Sequence, residues 1–323
     1  MTKADAKWYV YLTRRVAPEI IASLEELARV EVWQGDDPVP REVLLKKVEE
    51  ADALFAMLTD RIDEELFSRA KRLQVVANMA VGYDNIDVKA ARERGVVVTN
   101  TPDVLTEDTA DLAFALLLAT GRRLMEANRF LHAGEWTCWA PYLLAGQRIH
   151  GATLGIIGMG RIGEAVARRA RGFDMNVLYH NRHRKPDAEQ AVGARYCSLD
   201  GLLMESDYVM VLTPLTPETR GLIGERELSL MKPSAVLINV SRGGTVDEQA
   251  LYHALQRKQI WAAGLDVFQQ EPVPADHLLL TLPNVVALPH IGSATYRTRT
   301  EMARLAAENI IAVLTGREPI TPV

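Results

Sequence analysis

Short apolar segments rich in β-branched residues alternate with amphipathic helical patterns along the whole 323-residue chain. Strands that read as continuous apolar runs are buried on both faces of a sheet, and the helices between them form crossover connections. The alternation therefore predicts an α/β protein built from parallel sheets. The predicted strands span residues 8–13, 30–33, 53–58, 74–80, 96–100, 153–157, 176–180, 208–213, 235–240, 261–267 and 285–288.

The length exceeds that of one ordinary domain, so we expect two domains. Two helical patterns, one starting with Thr106 as its N-cap and ending near Gly121 and the other over 298–314, are typical of connecting helices. They flank a central block that contains a glycine-rich motif. We predict one domain over 101–291, inserted into a second domain formed by 1–100 and 292–323.

The charge balance excludes several classes of partner. Lysine and arginine number 37 and aspartate and glutamate 42, a net charge of −5 that favours neither nucleic acid nor an anionic membrane. The longest apolar run, residues 112–119, is far shorter than the ~20 residues of a membrane helix, and the N-terminus has no apolar signal segment. Cys138 and Cys197 are isolated, which argues against a disulfide framework and a zinc site. We expect a cytoplasmic protein that has no metal site.

A GxGxxG motif, formed by Gly158, Gly160 and Gly163, joins the predicted strand 153–157 to a helical pattern over 161–171. The first glycine permits a tight turn, the second lets the backbone approach a pyrophosphate, and the third allows close helix–strand packing. The helix N-terminus adds a favourable field for phosphate. Because the motif has the strand–turn–helix context that it requires, it predicts a dinucleotide site that also includes Arg161 and Ile162.

The end of the following strand indicates which dinucleotide is bound. An NAD site places Asp or Glu there for the ribose hydroxyls, whereas this chain reads YHNRHRK over 179–185, with no acid before Asp187. Asn181 and Arg182 can accept a 2′-phosphate, and Arg184 can add a second charged contact. We predict a preference for NADP(H), with NAD(H) as a possible second cofactor. The alternative is a solvated basic loop.

Three ionisable residues, Arg242, Glu271 and His290, each follow a predicted strand. The carboxyl ends of parallel strands meet at one edge of the sheet, where ligands bind. Reduction of a carbonyl needs a hydride and a proton, and histidine is a natural proton donor near neutral pH. A carboxylate can orient that histidine, and arginine can bind a substrate carboxylate. Each residue alone could be structural, but their joint placement predicts a catalytic site.

The segments GMGRIG, NVSRGG, AGLDVFQQEP and LPHIGS, in this order and spacing, resemble the D-isomer-specific 2-hydroxyacid dehydrogenases. NMAVGYDNID and TPDVLTEDTADLAFALLLATGRR extend the resemblance over essentially the whole chain. EWTCWAP, GARYCSLDGLL and PHIGSAT are similar to the glyoxylate/hydroxypyruvate reductases, including the bacterial 2-ketogluconate reductases. The resemblance implies a Rossmann dinucleotide-binding domain inserted in a flavodoxin-like substrate domain, and a homodimer.

The resemblance also implies residue roles. His290 would be the acid/base, Glu271 its partner and Arg242 the substrate-binding arginine. Backbone amides of Val81 and Gly82 would hold the substrate carboxylate. At the nicotinamide end of the cofactor, Asp266 would contact the carboxamide, and Thr109 would lie beside the phosphate and nicotinamide. At the other end, Pro214 would lie along the adenine and Arg182 would contact the 2′-phosphate. The further expected cofactor contacts are Thr213, Val240 and Gly292.

The substrate side is less constrained by the motifs. Leu58 and Thr59 end a predicted strand and are candidates for the substrate cleft. Arg297 is a further candidate, and the alternative for it is a solvent-facing position at the start of a helix. Trp136 and Trp139 lie in a region that forms a dimer arm in the family, where Trp139 would reach the partner's substrate pocket. The alternative for both tryptophans is interface packing.

The expected activity is NADPH-dependent reduction of small 2-oxo acids to D-2-hydroxy acids, with the proton supplied by His290. Glyoxylate, hydroxypyruvate and 2-keto-D-gluconate are the candidate substrates. Two alternatives stay open at this point. One is a non-catalytic, NAD(P)-sensing protein of the corepressor type, and the other is a formate or phosphite dehydrogenase of the same fold.

Overall fold

The computed structural model describes residues 7–35 and 37–323. They form two compact units. The first unit comprises the described residues up to Leu105 together with Ala294–Val323, and the second unit comprises Thr106–Ser293.

The strands are, in chain order, β1 Trp8–Leu12, β2 Ala28–Val32, β3 Ala53–Ala56, β4 Val75–Asn78, β5 Val97–Thr99, β6 Thr153–Ile157, β7 Asn176–His180, β8 Arg195–Tyr196, β9 Tyr208–Val211, β10 Val236–Asn239, β11 Ala262–Leu265 and β12 Val285–Ala287. The α-helices are α1 Pro18–Glu25, α2 Arg41–Val48, α3 Glu64–Arg69, α4 Val88–Glu93, α5 Thr106–Gly121, α6 Leu124–His132, α7 Arg161–Arg171, α8 Pro186–Val192, α9 Leu199–Glu205, α10 Glu225–Leu230, α11 Glu248–Gln256 and α12 Tyr296–Leu314.

In the first unit, the strands within the described residues form a parallel sheet in the order β2-β1-β3-β4-β5. Every residue of β3 and β4 is buried, as expected for central strands covered on both faces. Helix α12 packs on these two strands, although it is the last helix of the chain. The strand order is that of the flavodoxin-like doubly wound fold.

In the second unit, the described strands form a parallel sheet in the order β12-β11-β10-β9-β6-β7-β8. Side chains alternate between two apolar layers along each strand. Tyr208 and Met210 pack in one layer with residues of α5 and α7, whereas Val209 and Val211 pack in the other with residues of α9 and α11. The first six strands of this unit follow the Rossmann order, with β12 added beyond β11 at the edge.

The fold class predicted from the sequence is confirmed, since both sheets are parallel and helices cover them. Two of the predicted strands, those that became β6 and β7, have their observed ends, and the others extend one or two residues too far at one or both ends. The observed β2 also begins two residues before its predicted start. The sequence did not reveal β8, which has 2 residues and no apolar run. It also did not reveal α6, in which every residue is at least partly exposed, so that no buried stripe marks it.

The start of α5 differs from the prediction by one position. Thr106 is the first residue of the helix instead of its N-cap, because a turn in which the Val104 amide donates to the Pro102 carbonyl (2.8 Å) leads directly into it. The helix ends at Gly121 as expected, and Arg123 then takes a left-handed conformation (φ 55°) that starts α6 in a new direction.

The first unit gives way to the second after Leu105, and the second gives way to the first after Ser293, whereas the sequence predicts these changes after residues 100 and 291. Residues after 100 stay with the first unit, where the Thr101 amide donates to the Ala80 carbonyl (2.9 Å). Residues after 291 stay with the second unit up to Ser293. Within the described ranges, none of the helices has both the length and the apolar character needed to cross a membrane.

Candidate active site

The glycine motif forms a tight turn between β6 and α7. Gly158 has φ 103°, and a Cβ there would lie 2.8 Å from backbone atoms of Leu212 and Thr213. A Cβ on Gly163 would lie 2.6 Å from the carbonyl oxygen of Gly158. Gly160 differs, because apart from its chain neighbours no described atom lies within 4 Å of its Cβ position. The turn thus leaves an open space at the N-terminus of α7, as pyrophosphate binding requires.

Asn181, just beyond β7, braces this turn. Its side-chain oxygen accepts from the Met159 amide (2.7 Å), and its side-chain nitrogen donates to the Met159 carbonyl (3.4 Å). The sequence predicted Asn181 as a phosphate contact, whereas here both ends of its amide bind the glycine loop. Arg182 follows and is exposed. Together with the stronger hydrogen bond from Thr216, its charge lowers the pKa of Glu218.

Arg184 forms a two-point ion pair with Glu189. Its Nε and Nη2 atoms lie 2.7 and 2.8 Å from the two carboxylate oxygens of Glu189. The hydroxyl of Tyr179 donates to the same carboxylate at 2.6 Å. The bond from Arg184 and that from Tyr179 lower the pKa of Glu189 to about 2. Arg184, predicted as a second phosphate contact, therefore forms an ion pair with a residue of α8.

Buried Asn239, the last residue of β10, shapes the segment that carries Arg242. Its side-chain oxygen accepts from the amide (3.1 Å) and the hydroxyl (2.9 Å) of Ser241. Its side-chain nitrogen donates to the Arg242 carbonyl at 3.1 Å. The Arg242 guanidinium donates to the Ser241 carbonyl at 3.0 Å. The backbone around Arg242 is thus fixed by a buried amide.

His290 and Glu271 form a hydrogen-bonded pair beyond the ends of β12 and β11. The distance between His290 Nδ1 and Glu271 Oε2 is 2.7 Å, and each side chain is 23% exposed. The other carboxylate oxygen of Glu271 accepts from the Phe268 amide at 2.9 Å. His290 has φ 54°, an uncommon backbone conformation for a non-glycine residue that is found mostly where structure enforces it.

The charge state of Glu271 follows from its surroundings. Burial alone would raise the pKa of this carboxyl group. The hydrogen bond and charge of His290, the Phe268 amide and the charge of Arg242 outweigh burial and lower the pKa below its ordinary value. Glu271 is therefore ionised at neutral pH, His290 donates from Nδ1, and Nε2 is the nitrogen left for exchange of a proton with another molecule.

Asp266 connects the strand-end segments of β11 and β12. It is 1% exposed, and its Oδ1 atom accepts from the Ile291 amide at 2.8 Å. A Cβ on Gly292 would lie 3.3 Å from Asp266 Oδ2 and 3.4 Å from a methyl carbon of Thr109. Burial raises the pKa of Asp266, although the amides of Ile291 and Gly292 and the charge of His290 oppose this effect. Thr109, Asp266 and Gly292 thus adjoin one another.

Residues 114–292 match the family model of the "D-isomer specific 2-hydroxyacid dehydrogenase, NAD binding domain", which covers more than half of the chain. The chain belongs to the D-isomer-specific 2-hydroxyacid dehydrogenases. The resemblance seen in the sequence is therefore confirmed. Membership of this family makes the protein an oxidoreductase that acts on CH–OH groups with a nicotinamide dinucleotide.

Relatives in this dehydrogenase family match over nearly the whole chain. The glyoxylate reductase of Thermococcus gammatolerans is 53% identical over 316 residues, covering 97% of this chain and 94% of the relative. A solved structure of a Thermus thermophilus protein is 49% identical with a TM-score of 0.92, covering 98% of this chain and 99% of that one. An NADPH-dependent glyoxylate/hydroxypyruvate reductase from Sinorhizobium meliloti, in complex with NADP and malonate, is 36% identical with a TM-score of 0.86, covering 98% and 97%.

The remaining cofactor candidates of this dehydrogenase lie at the same edge of the second sheet. Thr213 adjoins Gly158 beyond β9, and the Pro214 carbonyl accepts from the Thr219 hydroxyl at 2.6 Å. Val240 is buried beyond β10. Arg161 and Ile162 form the first turn of α7. The second unit therefore brings the predicted cofactor residues and the pair His290–Glu271 to the carboxyl ends of its strands.

The predicted substrate residues of the first unit also follow strand ends. The Val81 carbonyl accepts from the Asn100 side chain (2.8 Å), and the Gly82 carbonyl accepts from the Asn78 side chain (2.9 Å). These asparagine bonds fix the backbone of the loop beyond β4. Leu58 lies beyond β3 and is half-buried.

The other candidates on the substrate side are exposed. Trp136 and Trp139 are 57% and 76% exposed in the segment that follows α6. Arg297, in the first turn of α12, is also exposed, which agrees with the alternative of a solvent-facing residue at the start of a helix. The positions of Trp136, Trp139 and Arg297 do not by themselves give any of these residues a role in the reaction.

Asn239, which organises the Arg242 segment, was not predicted as a site residue. A signal was available in the sequence, because a polar residue at the end of an otherwise apolar strand needs buried hydrogen-bond partners. Glu248 was not predicted either, because its contacts depend on the placement of the segment beyond β11 beside α11.

Proposed function

We propose that this dehydrogenase reduces glyoxylate to its 2-hydroxy acid with NADPH. Hydroxypyruvate is the second proposed substrate, and 2-keto-D-gluconate, a larger molecule, is the third. The observation that carries the proposal is the pair of His290 and Glu271 at 2.7 Å, with the charge of Arg242 acting on the same carboxylate. The names of the relatives support glyoxylate as the first substrate to test.

His290 is proposed as the proton donor. When bound, the nicotinamide cofactor supplies the hydride that adds to the carbonyl carbon. His290 Nε2 gives its proton to the carbonyl oxygen, so that the two transfers together yield the hydroxyl group. Glu271 holds the ring through Nδ1 and balances the positive charge of the protonated form.

Arg242 is proposed to bind the substrate beside the reacting carbonyl. Its planar guanidinium can make two parallel hydrogen bonds to a carboxylate, a geometry that lysine lacks. Asn239 supports this role, because it fixes the backbone at Arg242. The proposed contacts from Val81 and Gly82 rest on the sequence resemblance, and the contact from Leu58 rests on its position beyond a strand.

The residues of the second unit fit a dinucleotide that carries a 2′-phosphate. The open space at Gly160 suits the pyrophosphate, and Arg182 supplies a positive, exposed side chain beyond β7. Asp266 and Thr109 are proposed to hold the nicotinamide end. Binding of NADP by the Sinorhizobium meliloti relative supports the preference.

We propose that the protein acts as a homodimer. Large exposed apolar side chains are concentrated in one stretch of the chain, with Leu131 on α6 and Trp136, Trp139 and Tyr142 in the segment after it, and Tyr142 is 87% exposed. Exposed apolar residues in such number are typical of interaction surfaces. Sedimentation analysis is expected to give twice the mass of one chain, and Trp139→Asp is expected to weaken the association. A monomeric wild-type protein would contradict this part of the proposal.

The test is a panel of substrates assayed with both cofactors. Glyoxylate, hydroxypyruvate and 2-keto-D-gluconate are each supplied with NADPH or NADH, and cofactor oxidation is followed by absorbance. We expect the highest kcat/KM with glyoxylate or hydroxypyruvate and NADPH. No oxidation with any 2-oxo acid, combined with reduction of NADP by formate or phosphite, would overturn the proposal.

A further inference from the structure

A second glutamate, Glu248, contacts the segment that carries Glu271. Glu248 is the first residue of α11 and follows Asp247, which caps that helix. Its Oε1 atom accepts from the Gln269 amide at 2.5 Å. The side chain of Glu248 is only 15% exposed. The carboxylate is therefore directed towards the backbone of the segment beyond β11 and away from bulk water.

His277 holds the other oxygen of Glu248. Its Nε2 atom lies 3.2 Å from Glu248 Oε2. The imidazole ring also packs edge-on against Phe268, with 5.8 Å between ring centroids and an angle of 75°. His277 Nδ1 is buried and has no hydrogen-bond partner among the described residues. The ring is thus placed by Glu248 and Phe268 together.

The same segment is held from another direction by Gly243, next to Arg242. A Cβ on Gly243 would lie 1.9 Å from the carbonyl carbon of Phe268 and 2.2 Å from the Gln269 nitrogen. Only a glycine permits this approach of two backbones. Phe268 and Gln269 are therefore confined between the Arg242 segment and the start of α11.

Two consecutive amides in this segment bind two different glutamates. The Phe268 amide donates to Glu271 at 2.9 Å, and the Gln269 amide donates to Glu248 at 2.5 Å. A shift of Gln269 would move the neighbouring Phe268 amide and with it the carboxylate that binds His290. The geometry of the pair His290–Glu271 thus depends on a bond made outside the pair.

We propose that Glu248 is a positioning residue of the reaction: it fixes the Gln269 amide and thereby keeps Glu271 aligned with His290, while His277 orients Glu248. This inference rests on the proposed function, because it assigns a task within the same site. The hydrogen bonds of the Glu248 carboxylate go to the Gln269 amide and to His277. The effect of Glu248 would therefore act through Glu271.

Glu248→Ala, Glu248→Gln and the control Glu225→Ala test the proposal. Glu225 is likewise the first residue of a helix in the second unit, α10, and it is exposed. We expect Glu248→Ala to lower kcat about 10- to 100-fold, because small misplacements of catalytic groups have effects of this size. KM for NADPH should change little. Glu248→Gln retains an oxygen acceptor for the Gln269 amide and should recover most of kcat. Equal kcat in Glu248→Ala and Glu225→Ala would overturn the proposal.

A double-mutant cycle identifies the route of the effect. If Glu248 acts through Glu271, Glu248→Ala should lower kcat much less in a Glu271→Gln background than in the wild type, since coupled residues are not additive. Full additivity would overturn the proposal. This cycle also separates positioning from a general loss of stability, which would lower activity in both backgrounds.

The pH profile gives a second readout. The groups that surround Glu271 are His290, Arg242 and Asp266. A looser bond between Glu271 and His290 should raise the pKa of Glu271, so the acidic limb of the kcat profile should move to higher pH in Glu248→Ala. An unmoved limb would contradict the proposed route.

A spectroscopic measurement separates this inference from the proposed function. The Nδ1 proton of His290 should give a downfield imidazole resonance, identified by its loss in His290→Ala. We expect this resonance to shift or broaden in Glu248→Ala and to persist in Glu225→Ala. An unchanged resonance in Glu248→Ala overturns the inference even if the wild type reduces none of the 2-oxo acids. Inactivity of the wild type alone contradicts only the proposed function.

Discussion

His290 and Glu271 are 19 residues apart in the sequence, yet the Nδ1 atom of one lies 2.7 Å from the Oε2 atom of the other. The contact exists because β11 and β12 are parallel neighbours, whose carboxyl ends lie side by side. Arg242 follows β10, the next strand in the sheet. The parallel order of three strands is thus what brings an acid/base candidate, its carboxylate and a cationic side chain together.

Replacing Glu271 by glutamine should reduce stability at neutral pH and have less effect in acid. The pKa of Glu271 is lower in the folded chain than its ordinary value. Its carboxylate therefore stabilises the fold above that ordinary value, and this contribution is lost as the pH falls through the lowered pKa. We expect Tm of Glu271→Gln to be a few degrees below that of the wild type at neutral pH, with the difference shrinking below the ordinary carboxyl pKa. A difference that grows in acid would refute the assigned charge state.

Arg182→Ala should change the choice of cofactor. The Arg182 side chain is exposed beyond β7, and the side chain of the preceding Asn181 is hydrogen-bonded to Met159 in the glycine loop. We expect kcat/KM with NADPH to fall at least about 10-fold, since hydrogen bonds to charged groups are worth ~1.5–3 kcal/mol, while the value with NADH changes little. Arg195→Ala is the matched control, because Arg195 is exposed on β8 and paired with Glu205. Equal losses with both cofactors would contradict the 2′-phosphate role.

Two glycines of the same motif should respond differently to alanine. In Gly163→Ala the new Cβ would lie 2.6 Å from the Gly158 carbonyl, so we expect a loss of ~1–3 kcal/mol in the free energy of unfolding. In Gly160→Ala the methyl group meets no described atom within 4 Å other than its chain neighbours. Tm should stay near that of the wild type, while Kd for NADPH rises because the methyl group enters the proposed pyrophosphate space. Unchanged NADPH binding in Gly160→Ala would be evidence against this placement.

Arg242→Lys retains the positive charge but loses the paired hydrogen-bonding geometry. We expect kcat/KM for glyoxylate to fall about 10- to 100-fold, the equivalent of ~1.5–3 kcal/mol, with Kd for NADPH nearly unchanged. The control Arg195→Lys should behave as the wild type. Steady-state kinetics and fluorescence titration of NADPH make the comparison. Wild-type kcat/KM in Arg242→Lys would show that charge alone suffices.

The central strands were predictable because their burial on two faces leaves continuous apolar runs such as VVAN and VLIN. The same pattern placed Arg242, Glu271 and His290 at strand ends. The strand order of the second sheet explains why these three residues lie at neighbouring strand ends, since β10, β11 and β12 are adjacent. The predicted α/β class and family were confirmed, whereas the roles of the site residues stay predictions.

The hydrogen bonds and ion pairs that polar side chains form in the loops could not be predicted in the same way. Asn181 was predicted as a phosphate contact, and the hydrogen bond that its side chain accepts from Met159 on the neighbouring turn was not predicted. Arg184 was predicted as a second phosphate contact, and its ion pair with Glu189, five positions later, was not predicted. Hydropathy patterns carry no information on which polar partner a side chain selects, because that depends on loop geometry.

The most direct test of the account is kcat/KM for glyoxylate with NADPH in His290→Ala, compared with the wild type and with His253→Ala, an exposed histidine on α11. We expect a loss of ~10²–10⁴-fold in His290→Ala, the usual contribution of a positioned acid, and none in His253→Ala. Kd for NADPH should remain close to that of the wild type. Near-normal turnover in His290→Ala would contradict the assignment of this histidine as the proton donor.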